Sequence, residues 1–261
     1  MTRQAVESLD LEQTEERLAE TQQWTDSILA RLAPYLPDGS LDILDVGAAQ
    51  GRSVLALRQR GHRAAGVEPS PEAIEISREL AERYDTPLEI REGGAEQLPF
   101  DNERFDLVIA TSVIEHVSDL DRSLREIHRV LRPNGIFWFN AASSMSPRQA
   151  EISVFPLFGW YPLAVKRRIM WWAVANRPAW VGHTEHPAIN WFTPWSARRA
   201  LVRAGFVRAW DRWDLYERQP TRSGKLVELA RRSRAARIAG DVVVAGCSYA
   251  AQKRSGGSDA G

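Results

Sequence analysis

The chain has 261 residues, 44% hydrophobic and 26% charged, with 34 basic residues balanced by 34 acidic ones. That size and composition suit one globular domain with room for an inserted cap. A formal net charge of zero argues against a global field for a polyanion, so no nucleic-acid partner is expected. The single cysteine, Cys247, excludes an intramolecular disulfide framework and a cysteine-only zinc site.

The first segment, "VESLDLEQTEERLAE", is acidic and helical in pattern, which does not read as a signal peptide. The uncharged run over residues 152–165 is too short to span a bilayer and carries Pro156 and Pro162. A cytoplasmic location is the expectation. Apolar positions Leu11, Leu18, Ile28, Leu29 and Leu32 predict helix over about 11–33, ended by Pro34, Pro37 and Gly39. Strands and helices then alternate. "LDILDVG" reads as a buried strand and "SVLALRQR" as a helix stopped by Gly61. "AAGVE" reads as a second strand, and "PEAIEISRELAERY" as a helix with Pro71 in its first turn. "LEIRE" and "FDLVIA" read as strands three and four. Leu120, Leu124, Ile127, Val130 and Leu131 form one face of the next helix; "RPNG" is expected to turn the chain into a fifth strand, "IFWFNAA". This alternation predicts an α/β fold, a parallel sheet covered on both sides.

After Ala142 the rhythm breaks. Residues 144–193 are rich in aromatics and prolines, with Trp160, Trp171, Trp172, Trp180 and Trp191, and read as a cap over the sheet. Adjacent Trp171 and Trp172 point in different directions on a helix, so one can pack in the cap core while the other faces a ligand. Alternation resumes with the helix "PWSARRALVRAG", the strand "FVRAWDRWDLY", a basic helix over about 223–238 and a last strand, "DVVVAGCSYAAQ". The expected organisation is an N-terminal helical segment (1–40), a cofactor-binding half (41–143), the cap (144–193), a completion of the sheet (194–252) and a disordered tail (253–261).

The richest motif is "LDVGAAQG", Leu44 to Gly51, where a strand ends in small residues and opens into a helix. Small residues admit a ligand, and the helix N-terminus offers free N–H groups. Glu68 ends the next apolar run, about twenty residues on, where a carboxylate can accept from a ribose diol. The phosphate loop of ATPases needs Gly-x4-Gly-Lys-Ser/Thr, which is missing. The dinucleotide pattern, counted from Gly47, puts Arg52 where its third glycine should permit close helix–strand packing.

The Gly47, Ala49, Gly51 spacing resembles instead the class I S-adenosylmethionine-dependent methyltransferases. "AEQLPF" (Ala95 to Phe100), "FDLVIATSVIEHVSD" (Phe105 to Asp119) and "LREIHRVLRPNG" (Leu124 to Gly135) are similar to later motifs of that family, in order, so the resemblance covers about 41–143. It implies a Rossmann-like, seven-stranded, mostly parallel sheet with helices on both faces and the aromatic-rich cap as an insertion. It implies S-adenosyl-L-methionine as cofactor. Asp45 would anchor the loop or meet the methionine end, Gly47 and Gly51 would let the backbone approach, and Glu68 would hold the ribose hydroxyls. Ala95 would offer its N–H to the adenine, and Thr111 and Ser112 would line the methionine side. Ala49 stands where the family usually has glycine. Gly94 stands where an aspartate commonly accepts from the adenine amino group, a role Glu96 can take over.

Methyl transfer from a sulfonium mainly requires alignment of acceptor and methyl group. A hydroxyl acceptor also gains from a base. The candidates are His116, just after the fourth strand, and His183 and His186 in "GHTEHPAINWFTP". His183 and His186 flank Glu185; they read as loop-ordering or substrate-touching groups, and no metal is assigned. His62 and His128 read as structural or solvated. The leading expectation is O-methylation of a small molecule, a sugar or secondary metabolite. The alternatives are C-methylation of a quinone-like or lipid acceptor, methylation of a lipid-linked glycan at a membrane surface, and a non-catalytic cofactor-binding homologue. The basic runs Lys166–Arg168 and Arg231–Arg237 ordinarily mean a solvated face; contact with an anionic membrane is the less favoured reading. The oligomeric state is left open.

Overall fold

The computed structural model of the chain describes residues 11–149, 151–181, 186–216, 224, 227–228, 231–244 and 246–255. Two helices lead in, α1 (Leu11–Glu16) and α2 (Leu18–Leu32). Then come β1 (Asp42–Val46), α3 (Arg52–Gln59), β2 (Arg63–Glu68), α4 (Pro71–Arg83), β3 (Glu89–Glu92), β4 (Phe105–Thr111), α5 (Leu120–Val130) and β5 (Leu131–Ala141). The chain finishes with α6 (Leu163–Asn176), α7 (Pro194–Arg203), β6 (Phe206–Asp211), α8 (Arg234–Val243) and β7 (Cys247–Lys253). The strands form one seven-stranded sheet in the order β3-β2-β1-β4-β5-β7-β6. β1 to β5 pair in parallel; β7 runs antiparallel to both β5 and β6.

The sheet is buried on both faces, so its central strands alternate between two apolar layers. Leu44, Val108, Phe137 and Phe139 face α5 and α7, through Leu124, Ile127, Ala197 and Leu201. Ile43, Leu107, Ile136 and Trp138 face α2 and α3, through Ile28, Leu32, Val54 and Leu57. Short polar side chains set where helices start. The Ser70 hydroxyl accepts from Ala73 N (3.2 Å) before α4, with Pro71 at the first helical position. Asp119 accepts from Arg122 N (2.9 Å) before α5, and Thr193 and Ser196 cap α7 reciprocally.

At the N-terminal ends of the strands, charges are paired. Asp42 on β1 accepts a two-pronged bond from Arg63 (2.7 and 2.8 Å) and a contact from Arg132 (2.8 Å). Arg132 also reaches Asp106 on β4 (2.8 Å), whose carboxylate accepts from Asp42 N (2.8 Å). The two guanidinium groups hold the Asp42 carboxyl down at about 2.

Several expectations change. "RPNG" is a kink inside β5: Asn134 takes a left-handed φ of 67°, and the pairing with β4 shifts register between Phe105 and Leu107. β6 stops at Asp211, whose carboxylate accepts from Trp213 N and Asp214 N and so turns the chain early. Residues 241–243, expected as strand, belong to α8, which starts at a Ser233 cap. Most of 217–230, including much of the expected basic helix, lies outside the described residues, as does the tail from residue 256. Lys253, expected to begin that tail, ends β7 and donates to Leu131 O (2.7 Å).

The insertion closes at its base, where Ser143 bridges Phe192 and Phe192 N donates to Ala142 O (2.9 Å). It carries its own small core of Ile152, Phe158, Met170, Ala173, Val181 and Trp191. Lys166, expected on a solvated face, is buried. Its ammonium sits 4.4 Å from the Trp191 ring centroid and donates to Gly159 O (3.2 Å). Trp171 and Trp172 are both exposed, so neither packs in the cap core. Among the described residues, no helix is long and apolar enough to cross a membrane.

Candidate functional site

The strand order reverses direction between β1 and β4, and the loops leaving their C-terminal ends face one another there, the usual place for a ligand in an open α/β sheet. Gly47, Ala49 and Gly51 carry β1 into α3 with φ of 75°, 46° and 80°. A Cβ on Gly47 would come within 2.4 Å of Val113 in the loop after β4, and one on Gly51 within 2.6 Å of Ile90 on β3. The two glycines are therefore set by left-handed backbone and by packing against neighbouring loops and strands. Ala49 holds the left-handed conformation without that freedom, at a cost of roughly 1–2 kcal/mol.

Glu68 is buried at the end of β2. One carboxylate oxygen accepts from Ala49 N (2.9 Å) and the other from Ser70 N (3.0 Å). Each oxygen keeps a second lone pair for a ligand hydroxyl. Asp45 is buried beneath the loop and accepts from the Ser53 hydroxyl on α3. Burial pushes its carboxyl up to about 7, and the nearby Glu68 charge adds to the rise.

On the adenine side expected from the motifs, Ala95 is buried, and Gly94 bridges to Gln97. Glu96 turns one oxygen to Ser118 N (2.9 Å) and Ser118 Oγ (3.0 Å), tying this loop to the one after β4. Its other oxygen lies 3.3 Å from where a Cβ at Gly94 would stand, so a carboxylate does occupy the neighbourhood of the missing aspartate. Thr111 ends β4 with a buried hydroxyl that has no partner. Ser112 takes a φ of 53° and donates its N–H to the Asn140 side chain on β5 (2.8 Å).

The segment 113–117 is clamped by the end of the cap. Ile189 N and Asn190 N both donate to Glu115 O (2.8 and 3.0 Å), and the Asn190 amide donates to Ile114 O and Val117 O. His116 Nδ1 donates to His186 O (2.8 Å), which fixes the proton on Nδ1 and leaves Nε2 as an acceptor. Burial lowers the His116 pKa, and the backbone at His186 and Pro187 opposes that shift. His186 contributes this carbonyl; His183 lies outside the described residues.

A cavity of ≈ 410 Å³ opens beside these loops, between Ser112, Glu115, Trp138, Asn140, Arg148 and Glu151. Its volume suits a small molecule. Glu115 is buried, with one carboxylate oxygen lacking any partner, and Glu151 has a second such oxygen. Burial pushes the Glu115 carboxyl up to about 8, its own N–H opposes that, and the nearby Glu151 charge raises it further. His116 does not line this cavity. Glu115, Asn140, Arg148 and Glu151 were not singled out from the sequence. The available signals were carboxylates set among apolar residues, in "VIEHV" and "AEISVF".

Residues 44–139, which carry the small-residue loop after β1 and the buried acid ending β2, match the family model described as the methyltransferase domain. A ubiquinone biosynthesis O-methyltransferase of Methylobacterium sp. is 31% identical over 129 residues, 48% of this chain and 51% of that protein. One from Azorhizobium caulinodans is 37% identical over 100 residues, 38% of this chain and 40% of the relative. The chain thus spans about half the length, or less, of these curated relatives. The solved structure of the YcgJ protein from Bacillus subtilis superposes with a TM-score of 0.53 at 17% identity, covering 88% of this chain and 99% of that one. An S-adenosylmethionine-dependent methyltransferase from Mesorhizobium loti gives 0.56 at 20% identity, covering 87% and 98%. S-adenosyl-L-methionine is the cofactor of this domain. The residues present fit it: Glu68 has open lone pairs, and the Thr111 hydroxyl is buried without a partner beside the Gly47 loop.

Proposed function

We propose that the protein is a methyltransferase acting on the hydroxyl of a small-molecule acceptor held in the cavity beside Glu115. The observation that carries this reading is the unpartnered, buried Glu115 oxygen lining a cavity at the C-terminal end of β4. In this reading Glu68 holds the cofactor's ribose hydroxyls. Asp45 braces the loop through Ser53, the Gly47–Gly51 backbone and Ser112 flank the methionine portion, Ala95 offers its N–H to the adenine, and Glu96 accepts from the adenine amino group.

The bound cofactor supplies a methyl group already activated on a sulfonium. The chain's part is to align the acceptor, shield it and take its proton. Trp138, Asn140 and Arg148 orient the acceptor, and the cap segment 186–190 holds the loop that carries Glu115. Glu115 would take the acceptor's hydroxyl proton on its free oxygen. With a pKa near 8 it accepts more readily as pH rises, and a neighbouring positive charge favours its ionised form. The likeness to O-methyltransferases of ubiquinone biosynthesis favours oxygen over carbon as the acceptor atom. A sugar, a secondary metabolite or a quinol-like ring fits this description.

A second reading keeps Glu115 as a positioning group and gives the proton to His116, whose ring is oriented by the His186 carbonyl. Calorimetry with S-adenosylhomocysteine tests the common ground: one-to-one binding is expected, and no binding at millimolar ligand overturns both readings. Turnover with labelled cofactor across hydroxyl-bearing acceptors then separates them. Glu115→Gln abolishes the rising pH limb in the first reading, His116→Ala in the second.

A further inference from the structure

Helix α6 packs Met170 and Ala173 into the cap core, but its lysine and tryptophan positions are inverted. It buries Lys166 while leaving Trp171 and Trp172 at 51% and 48% exposure. Large aromatic side chains are normally drawn inward and lysines left in water. Val165 on the same helix and Trp180 just after it are also exposed. The rings are contiguous, since Trp172 lies 6.0 Å from Trp180, and Trp180 lies 6.0 Å from Phe155. On the helical projection, exposed Arg168 falls between Trp171 and Trp172. Residues 152–181 hold Lys166, Arg167, Arg168 and Arg177 and no acidic residue, in a chain whose overall charge is zero.

We infer that this face of the cap docks on an anionic lipid surface, the tryptophans entering the headgroup region and Arg168 and Arg177 meeting lipid phosphates. Tryptophan bodies suit the boundary between headgroups and acyl chains, and cations beside them gain from a negative surface potential. A second copy of the chain is a poor occupant, because two such faces would bring cations together with no acid to answer them. The inference stands apart from the assignment of Glu115.

The test is sedimentation of the full chain with phosphatidylcholine vesicles, with and without phosphatidylglycerol, at low and high salt. The wild type is expected to pellet with phosphatidylglycerol-containing vesicles at low salt, with a blue shift in tryptophan emission. The double variant Trp171→Ser/Trp172→Ser should partition at least about tenfold less, while its melting temperature and its S-adenosylhomocysteine binding match the wild type. Arg168→Glu should lower partition to the anionic vesicles and leave the weak binding to neutral ones unchanged. Wild-type protein left in the supernatant at every lipid composition, or full binding by the double tryptophan variant, overturns the inference. So does a wild-type dimer in analytical ultracentrifugation that the double variant abolishes, which would assign the face to a second copy.

Discussion

Asp42 and Asp45 lie three residues apart on the same strand, yet one carboxyl is held at about 2 and the other pushed to about 7. The difference is position along the sheet. At the N-terminal end, Arg63 and Arg132 pair with Asp42 at a wet edge. At the C-terminal end, Asp45 is sealed under a loop with one hydroxyl donor and a second carboxylate nearby. Glu115 follows Asp45: buried, raised and short of a partner. One end of the sheet uses charge to hold strands together, and the other keeps charge under-satisfied where a ligand can complete it.

This contrast can be broken by experiment, most sharply at Glu115. Glu115→Gln should lower turnover by about 10²–10⁴, the usual worth of a positioned base, and flatten a rate that otherwise rises with pH through about 8. A pH–rate profile on the variant decides this; retention of the rising limb removes Glu115 from the proton path.

The next effect is on stability. Asp45 binds its proton more tightly folded than unfolded, so it costs nothing below about pH 4, and its cost grows until the pH passes about 7. Asp45→Asn, which can still accept from Ser53, should therefore stabilise the ligand-free protein above neutrality by up to ~4 kcal/mol. Urea melts in acid and at about pH 8.5 should differ less in the variant than in the wild type. An unchanged pH dependence would mean that Asp45 is not the strained group.

Glu68→Ala should weaken S-adenosylhomocysteine by ~1.5–3 kcal/mol, roughly 10- to 150-fold in Kd, with Glu68→Gln intermediate. Calorimetry reads it directly. The smallest effect lies at the paired end. Asp42 is stabilising above about pH 4, and that contribution is lost as pH falls through about 2. Asp42→Asn should destabilise by ~1 kcal/mol near neutrality, since the ion pairs are partly exposed to water. The loss should vanish in strong acid, the opposite pH trend from Asp45→Asn.

The cofactor half was legible because its instructions are local. Alternating apolar runs, Gly47 and Gly51 at forced backbone positions, and Glu68 at a strand end can each be read within a few residues. The structure adds a second reason for the glycines, contacts with Val113 and Ile90, which the sequence does not show because they span distant elements. The cavity beside Glu115 was not legible. It is assembled from Trp24, Glu115, Asn140, Arg148 and Cys247, which only the folded chain brings together. His116 drew notice because histidine titrates near neutrality, while Glu115 beside it gains that property only through burial. Lys166 misled for the same reason, since a run of three cations says nothing about which of them turns inward.

The buried Lys166 has one more consequence. Burial brings its ammonium down to about 8, so near neutrality a fraction of it is a free amine, the nucleophilic form. Yet it sits under Trp191, closed to any reagent while the cap is in place. The sequence has only three lysines, at 166, 225 and 253, so acylation of Lys166 can be followed as a single peptide by mass spectrometry. Its labelling rate becomes a clock for cap opening, and slowing of that clock by an added small molecule would single out acceptors before any product has been identified.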